Sequence, residues 1–185
     1  MLPSKKPQDL LFIDTETTGL DETKHELLEV AAIRTTPDGL SVLQTYTAKI
    51  KPRNIAAAET KALQINGYVE SEWTDDKCVP RDVLAQTLQV MARDTVLVGQ
   101  NVSFDEKFLA VLFREVGIPA PWGYHKIDTV TLAWPFFLKT PLEGLSLSKL
   151  ATYLNVKEIP THRALADAEV CRQVYIALMS RLTVV

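Results

Sequence analysis

Only two cysteines, Cys78 and Cys171, occur in the 185-residue sequence. Their spacing matches no zinc or redox motif. A disulfide framework is thereby excluded, and two reduced, structural thiols in a cytoplasmic setting are expected. Strong charge of either sign is also missing, since 20 basic and 23 acidic residues leave a net charge of −3. A basic, nucleic-acid-coating protein is excluded on that ground. An enzyme of nucleic acids is not, because cations bound to an acidic site reverse its local field. No apolar run is long enough to span a bilayer. No apolar h-region follows Pro3, Lys5, Lys6 and Pro7, so neither a membrane anchor nor a signal peptide is expected. Internal repeats, low-complexity tracts and an interdomain linker are lacking, and so is a P-loop glycine cradle of the kinase kind.

What is present suits one soluble domain. Apolar residues make up 46% and charged residues 23% of a chain long enough to bury a sizeable core. Residues 1–8 read as a short extension and residues 9–183 as a single domain. Leu10-Leu11-Phe12-Ile13 is a continuous apolar run of the kind buried on both faces of a sheet. Residues 26–34 fit a helix or a strand, but Asp38-Gly39 and the β-prone run over 41–50 turn the segment into strand–turn–strand. Helices are expected over 56–63, 81–91, 103–116, 146–154 and in a last segment that follows Thr161 and ends near Leu182, with a short strand over 95–98. Residues 128–137 look helical until Pro135 disturbs them. The order gives an α/β fold, a central mixed β-sheet flanked by helices.

The buried run leads directly into Asp14-Thr15-Glu16-Thr17-Thr18-Gly19. In a strand, positions i and i+2 share a face, so Asp14 and Glu16 project together. Two adjacent carboxylates raise each other's pKa unless a cation lies between them, and Mg²⁺ or Mn²⁺ prefers such hard oxygen ligands. Solvated acids at a strand end would look the same in isolation. Gly19 permits a sharp turn or a close ligand approach, while Thr15 fits packing or a local bond. Asp105, after Asn101 and Phe104, falls in the first turn of a helix, and Asp167 falls in the first turn of the last one. The helix dipole favours an acid at both places without any function. His162 precedes that last helix, five residues before Asp167, near the carboxylate but not as a ligand. His25 and His125 read as ordinary surface or core residues. Each station is modest alone; the ordered set Asp-x-Glu, Asp, His-x4-Asp is specific.

This set resembles the DEDDh, or DnaQ-like, exonucleases, and the likeness runs over nearly the whole chain. Residues 14–19 look like the family's first motif, Asn101 with Phe104-Asp105 like its second, and His162-Arg163-Ala164-Leu165 with Asp167-Ala168 like its third. The resemblance implies a ribonuclease H-like fold and 3′→5′ hydrolysis with two divalent cations, Mg²⁺ or Mn²⁺. It makes Asp14, Glu16, Asp105 and Asp167 the metal-binding acids and His162 the general base. It places Thr17, Thr18 and Leu20 at the terminal nucleotide, with Ile65, Asn66, Asn101 and Phe104 as further substrate-binding residues. Two positions depart from the family. Asn66 stands where histidine is frequent, and Trp134, in the segment from Asp128-Thr129 through Leu132-Ala133, stands where arginine is frequent.

The expected substrate is the 3′ end of single-stranded DNA, as in proofreading or repair. The same motifs serve an exoribonuclease that trims RNA or short oligonucleotides, because they read the sugar–phosphate end rather than the bases. A catalytically silent nucleic-acid-binding module would show loss of an acid, and none is lost. A phosphatase-like Asp-x-Glu site is a more distant alternative. A polymerase or other replication or repair protein is a candidate partner, and the chain is expected as a monomer or a homodimer. Lys49, Lys51 and Arg53 lie near a substrate path or form a solvated strand end. Trp73, Trp122 and Trp134 suit base stacking, core or interface.

Overall fold

The computed structural model describes residues 7–138, 143–157 and 161–182. The first apolar run becomes the middle of β1 (Asp9–Thr17). It lies between β2 (Leu27–Thr35), its antiparallel neighbour, and β4 (Thr95–Gly99), its parallel neighbour. A strand paired on both edges and covered on both faces requires apolar side chains throughout, and Leu11, Phe12 and Ile13 are at most 1% exposed. Each such side chain contributes about 1.5–3 kcal/mol by leaving water. Asp38-Gly39 turns β2 into β3 (Val42–Lys49), with Gly39 at φ +77°. Together with β5 (Lys126–Asp128) these form a mixed five-stranded sheet ordered β3-β2-β1-β4-β5.

The period of two along β1 separates two cores. Leu11 and Ile13 pack with Leu84 and Leu88 of α2 (Arg81–Met91) and with Phe108 and Leu112 of α3 (Val102–Val116). Leu10 and Phe12 face Ala164, Ala168, Cys171 and Tyr175 of α6 (Ala164–Leu182). A third cluster joins Ala133 of α4 (Thr129–Phe137) and Leu150 of α5 (Leu147–Leu154) to Val170, Val174 and Leu178 of α6. The result is the α/β sheet flanked by helices that the element order implies. Among the described residues both cysteines are free, Cys171 buried and Cys78 half-buried, and no helix is long and apolar enough to cross a membrane.

Two expected helices differ. Over 56–63 the chain instead makes a 3₁₀ turn at Ile55–Ala57, runs extended at Ala58 and Glu59, and then forms α1 (Thr60–Asn66). The interruption has a tertiary cause, since the Glu59 N–H donates to the Thr18 carbonyl at 2.8 Å. Residues 128–137 also split. Asp128 ends β5 and caps α4, accepting from the Val130 N–H at 2.8 Å. The helix then continues past Pro135 to Phe137, with the Leu138 N–H reaching the Trp134 carbonyl. Pro135 is exposed and lies in the last turns, so its missing N–H removes one bond without ending the helix.

Candidate active site

Strand β1 runs parallel to β4 over Asp9–Phe12 and continues beyond it to Thr17, so the end of β1 stands beside the turn that leads from β4 into α3, as at the strand ends of other open α/β sheets. A cleft of about 300 Å³ opens there. Asp14, Glu16, Asp105, His162 and Asp167 all line it, drawn from β1, α3 and the start of α6. Thr15, Leu20, Gln100, Asn101 and Phe104 complete its wall, Leu20 being 73% exposed. A larger cleft of about 480 Å³ lies among Lys51, Arg53 and Arg81. Each of those cations is already paired, with Asp75, Glu115 and Glu26 respectively, so size does not mark the chemistry here.

The acids arrive from opposite faces of the sheet. Asp14 and Glu16 continue the α6 side of β1, below Leu10 and Phe12. Thr15 points to the α3 side, where its hydroxyl donates to Asp105 Oδ1 at 2.8 Å. Asp105 is 4% exposed and Asp167 6%. Asp167 accepts the N–H groups of Thr161 (2.8 Å) and His162 (3.2 Å), closing the turn ahead of α6. One ligand atom each from Glu16, His162 and Asp167 lies within 4.8 Å of the others. His162 adopts φ +55°, a left-handed conformation that costs a non-glycine residue roughly 1 kcal/mol or more and must be held from outside.

Crowding of carboxylates shows in their proton affinity. Burial pushes Asp14 well above the usual carboxylate range, and Asp105, Glu16 and Asp167 push it further. Burial, with Asp167 and Glu29, raises Glu16 to about 8, while the Arg163 guanidinium pulls it down. Asp105 is raised by burial against the opposing Thr15 hydroxyl bond, and Asp167 by burial against its two backbone donors. Without a cation Glu16 would hold a proton at neutral pH, and Asp14, Asp105 and Asp167 all bind protons more tightly than free carboxylates. A cleft of hard oxygen donors, Asp105 and Asp167 buried and Asp14 and Glu16 partly so, with one imidazole beside them is a donor set that fits a divalent cation.

The remaining sequence candidates are placed differently. Thr17 turns its hydroxyl onto the Gly19 carbonyl (2.7 Å), and Thr18 uses its own to accept the Glu26 N–H (2.9 Å). Both side chains are thus spent on the loop, and the Thr18 N–H and carbonyl are bonded to Glu26 and Glu59 in turn, so neither buried threonine lines the cleft. Asn66 is 5% exposed and donates from Nδ2 to the Thr17 carbonyl at 3.0 Å, bracing that loop from behind. Ile65 is 45% exposed on α1 and does not line the cleft. His25 stacks under Gly19, where an added Cβ would meet its ring at 2.6 Å, which explains the glycine. Trp73 is core, donating to the Leu28 carbonyl, and Trp122 packs edge-on against Phe113. Trp134 is exposed and stacks on Phe137.

Thr15 and the Glu29–Arg163 pair take roles at the site that the sequence reading did not give them. Thr15 anchors an acid 90 positions away rather than bonding locally. Glu29 pairs with Glu16 across β1 and β2, is 6% exposed, and accepts from Arg163 Nε at 3.1 Å. One charge inside the otherwise apolar Leu27-Leu28-Glu29-Val30-Ala31 was the available signal. Replacing Thr15 with valine should keep the fold but free Asp105, lowering turnover about tenfold, the scale of a lost charged hydrogen bond. Steady-state kinetics with a thermal melt would check it, and unchanged turnover would dismiss the anchor.

The comparisons with known proteins follow the same lines. The chain is 32% identical over 173 residues to the PolC-type DNA polymerase III of Thermotoga maritima, covering 93% of this chain but 12% of that protein. It is 25% identical over 172 residues to the DNA polymerase III subunit epsilon of Treponema pallidum, covering 90% of this chain and 74% of that one. The chain therefore spans about an eighth of the length of the PolC-type relatives. Escherichia coli exonuclease I in complex with a dT13 oligonucleotide superposes with a TM-score of 0.83 at 19% identity, over 95% of this chain and 42% of that chain. That likeness establishes the fold, the ribonuclease H-like one. A family model described as exonuclease, of the RNase T type, matches residues 11–175, and the chain belongs to that exonuclease family.

Proposed function

We propose that this chain removes nucleotides one at a time from the 3′ end of single-stranded DNA by divalent-cation-dependent hydrolysis, as one exonuclease domain over residues 9–183 with residues 1–8 as an extension. The carrying observation is that four acids and His162, from three separate stretches of sequence, line one cleft. Asp14, Glu16, Asp105 and Asp167 would hold two cations, Mg²⁺ or Mn²⁺, which supply charge neutralisation at the phosphodiester and a lowered pKa for the attacking water. His162 stands at the mouth of the cleft, where its imidazole accepts the proton of that water. Leu20 and Phe104 offer apolar surface to the terminal sugar and base, and Asn101 a polar edge. Thr17 and Thr18 shape the loop beside the terminal nucleotide, with Ile65 at its outer side and Asn66 bracing it through the Thr17 carbonyl. DNA is favoured over RNA by the DNA polymerase relatives. In the same vein a polymerase is the candidate partner.

The test is a 5′-labelled single-stranded DNA and its RNA counterpart, incubated with Mg²⁺, Mn²⁺ or EDTA. A ladder shortening from the 3′ end, faster on DNA and absent in EDTA, is expected. A folded protein that shortens neither strand would overturn the proposal, and faster loss of RNA would reassign the substrate. His162→Ala should lower kcat by about 10²–10⁴-fold, the range for loss of a positioned base, while Mn²⁺ still binds. Loss of Mn²⁺ binding in calorimetry would instead make His162 a ligand with Glu16 and Asp167.

A further inference from the structure

We propose that Glu29 and Arg163 form a clamp that positions His162, so that the base is set by the sheet as well as by its own helix. The inference rests on the exonuclease reading above only for its kinetic consequences. Arg163 follows His162 directly, and its Nε reaches Glu29 Oε2 at 3.1 Å, across 134 positions of sequence. Glu29 belongs to β2, paired with Glu16, and is 6% exposed, so the anchor is a fixed point of the sheet. Arg163 is about half exposed, and only its inner edge is bound.

The turn it holds needs holding. His162 sits at φ +55°, a left-handed conformation uncommon for any residue other than glycine. Its own N–H and that of Thr161 both lean on the Asp167 carboxylate. That carboxylate also lines the cleft, where the proposed cation would draw on the same oxygens. The clamp supports the same turn from the other side, through a group that does not line the cleft. No other ion pair of Arg163 or Glu29 occurs among the described residues. Residues acting as such a unit show coupled rather than additive effects on mutation.

Arg163→Ala, Arg163→Lys, Glu29→Gln and the Arg163→Ala/Glu29→Gln double variant would be prepared in the full chain. Two readouts are needed, turnover of labelled single-stranded DNA and NMR of the imidazole groups, of which the sequence has three. For Arg163→Ala kcat should fall about tenfold with KM within about twofold, on the scale of contact couplings. Arg163→Lys should recover most of that loss, and the double variant should be no slower than Arg163→Ala. The His162 ring signals should move toward free-chain values in Arg163→Ala while those of His25 and His125 stay, with the melting temperature nearly unchanged. Unmoved His162 signals would overturn the clamp even if the wild type proved inactive. So would losses that multiply in the double variant, or a rise in KM at constant kcat, which would make Arg163 a phosphate contact. An inactive wild type with the NMR shifts intact would overturn the exonuclease reading alone.

Discussion

Asp14→Asn should reduce 3′-end cleavage by roughly 10³-fold or more, because stabilisation by bound cations is worth several kcal/mol and each 1.36 kcal/mol is a tenfold change in rate. Asp14 stands at the centre of the acids, raised by burial and by Asp105, Glu16 and Asp167 together. Asparagine has nearly the same shape and no charge. The substitution therefore removes a proposed ligand and relieves repulsion in one step. The metal-free variant should melt a few degrees above the wild type at pH 8, the temperature equivalent of about 1 kcal/mol for a chain of this size. Activity near the wild-type level would end the cation-site assignment, and a lower melting temperature would end the account of crowded acids.

The second large effect is on stability. Metal-free protein should become less stable as pH rises, the reverse of ordinary acid denaturation. Glu16 is raised to about 8 from an ordinary 4.5, and Asp14, Asp105 and Asp167 are raised as well. Between those values the native state binds more protons than the unfolded chain, so the slope of stability against pH is negative. The contribution is complete below pH about 4.5 and is lost as pH climbs through about 8. A fall in melting temperature of about 5 °C from pH 5.5 to 8.5 in EDTA is expected. At pH 8.5, Mn²⁺ at a hundred times its Kd adds about 2.7 kcal/mol, or about 5–10 °C. Melting curves in EDTA and in Mn²⁺ at the two pH values decide it. A flat or rising profile in EDTA, or no response to the cation, would show that the acids do not share one site.

Much of this was legible in local sequence. The apolar run before Asp14 marked a strand buried on both faces, and the two-residue spacing put Asp14 beside Glu16. Asp38-Gly39 marked the hairpin that resolves residues 26–34 as β2. Asp105 and Asp167 were placed in first turns by their distance from helix starts, where they are found. Where reading failed, a distant contact had overruled local preference. Residues 56–63 are helix-prone, yet the Thr18 carbonyl claims the Glu59 N–H and breaks the run. Pro135 signals a break, yet only one bond is lost so near the helix end.

The sequence by itself determined the order of the acids, the strand that presents the first two and the turns that precede the others. Those properties depend on neighbours a few residues apart, and periodicity records them. Only the tertiary structure decided which groups support the acids. Thr15 holds Asp105, Asn66 braces Thr17 across 49 positions, His25 fills the space under Gly19, and Glu29 holds Arg163. Such pairs are fixed by which strands and helices lie side by side. Spacing along the chain carries no record of a contact made at that distance.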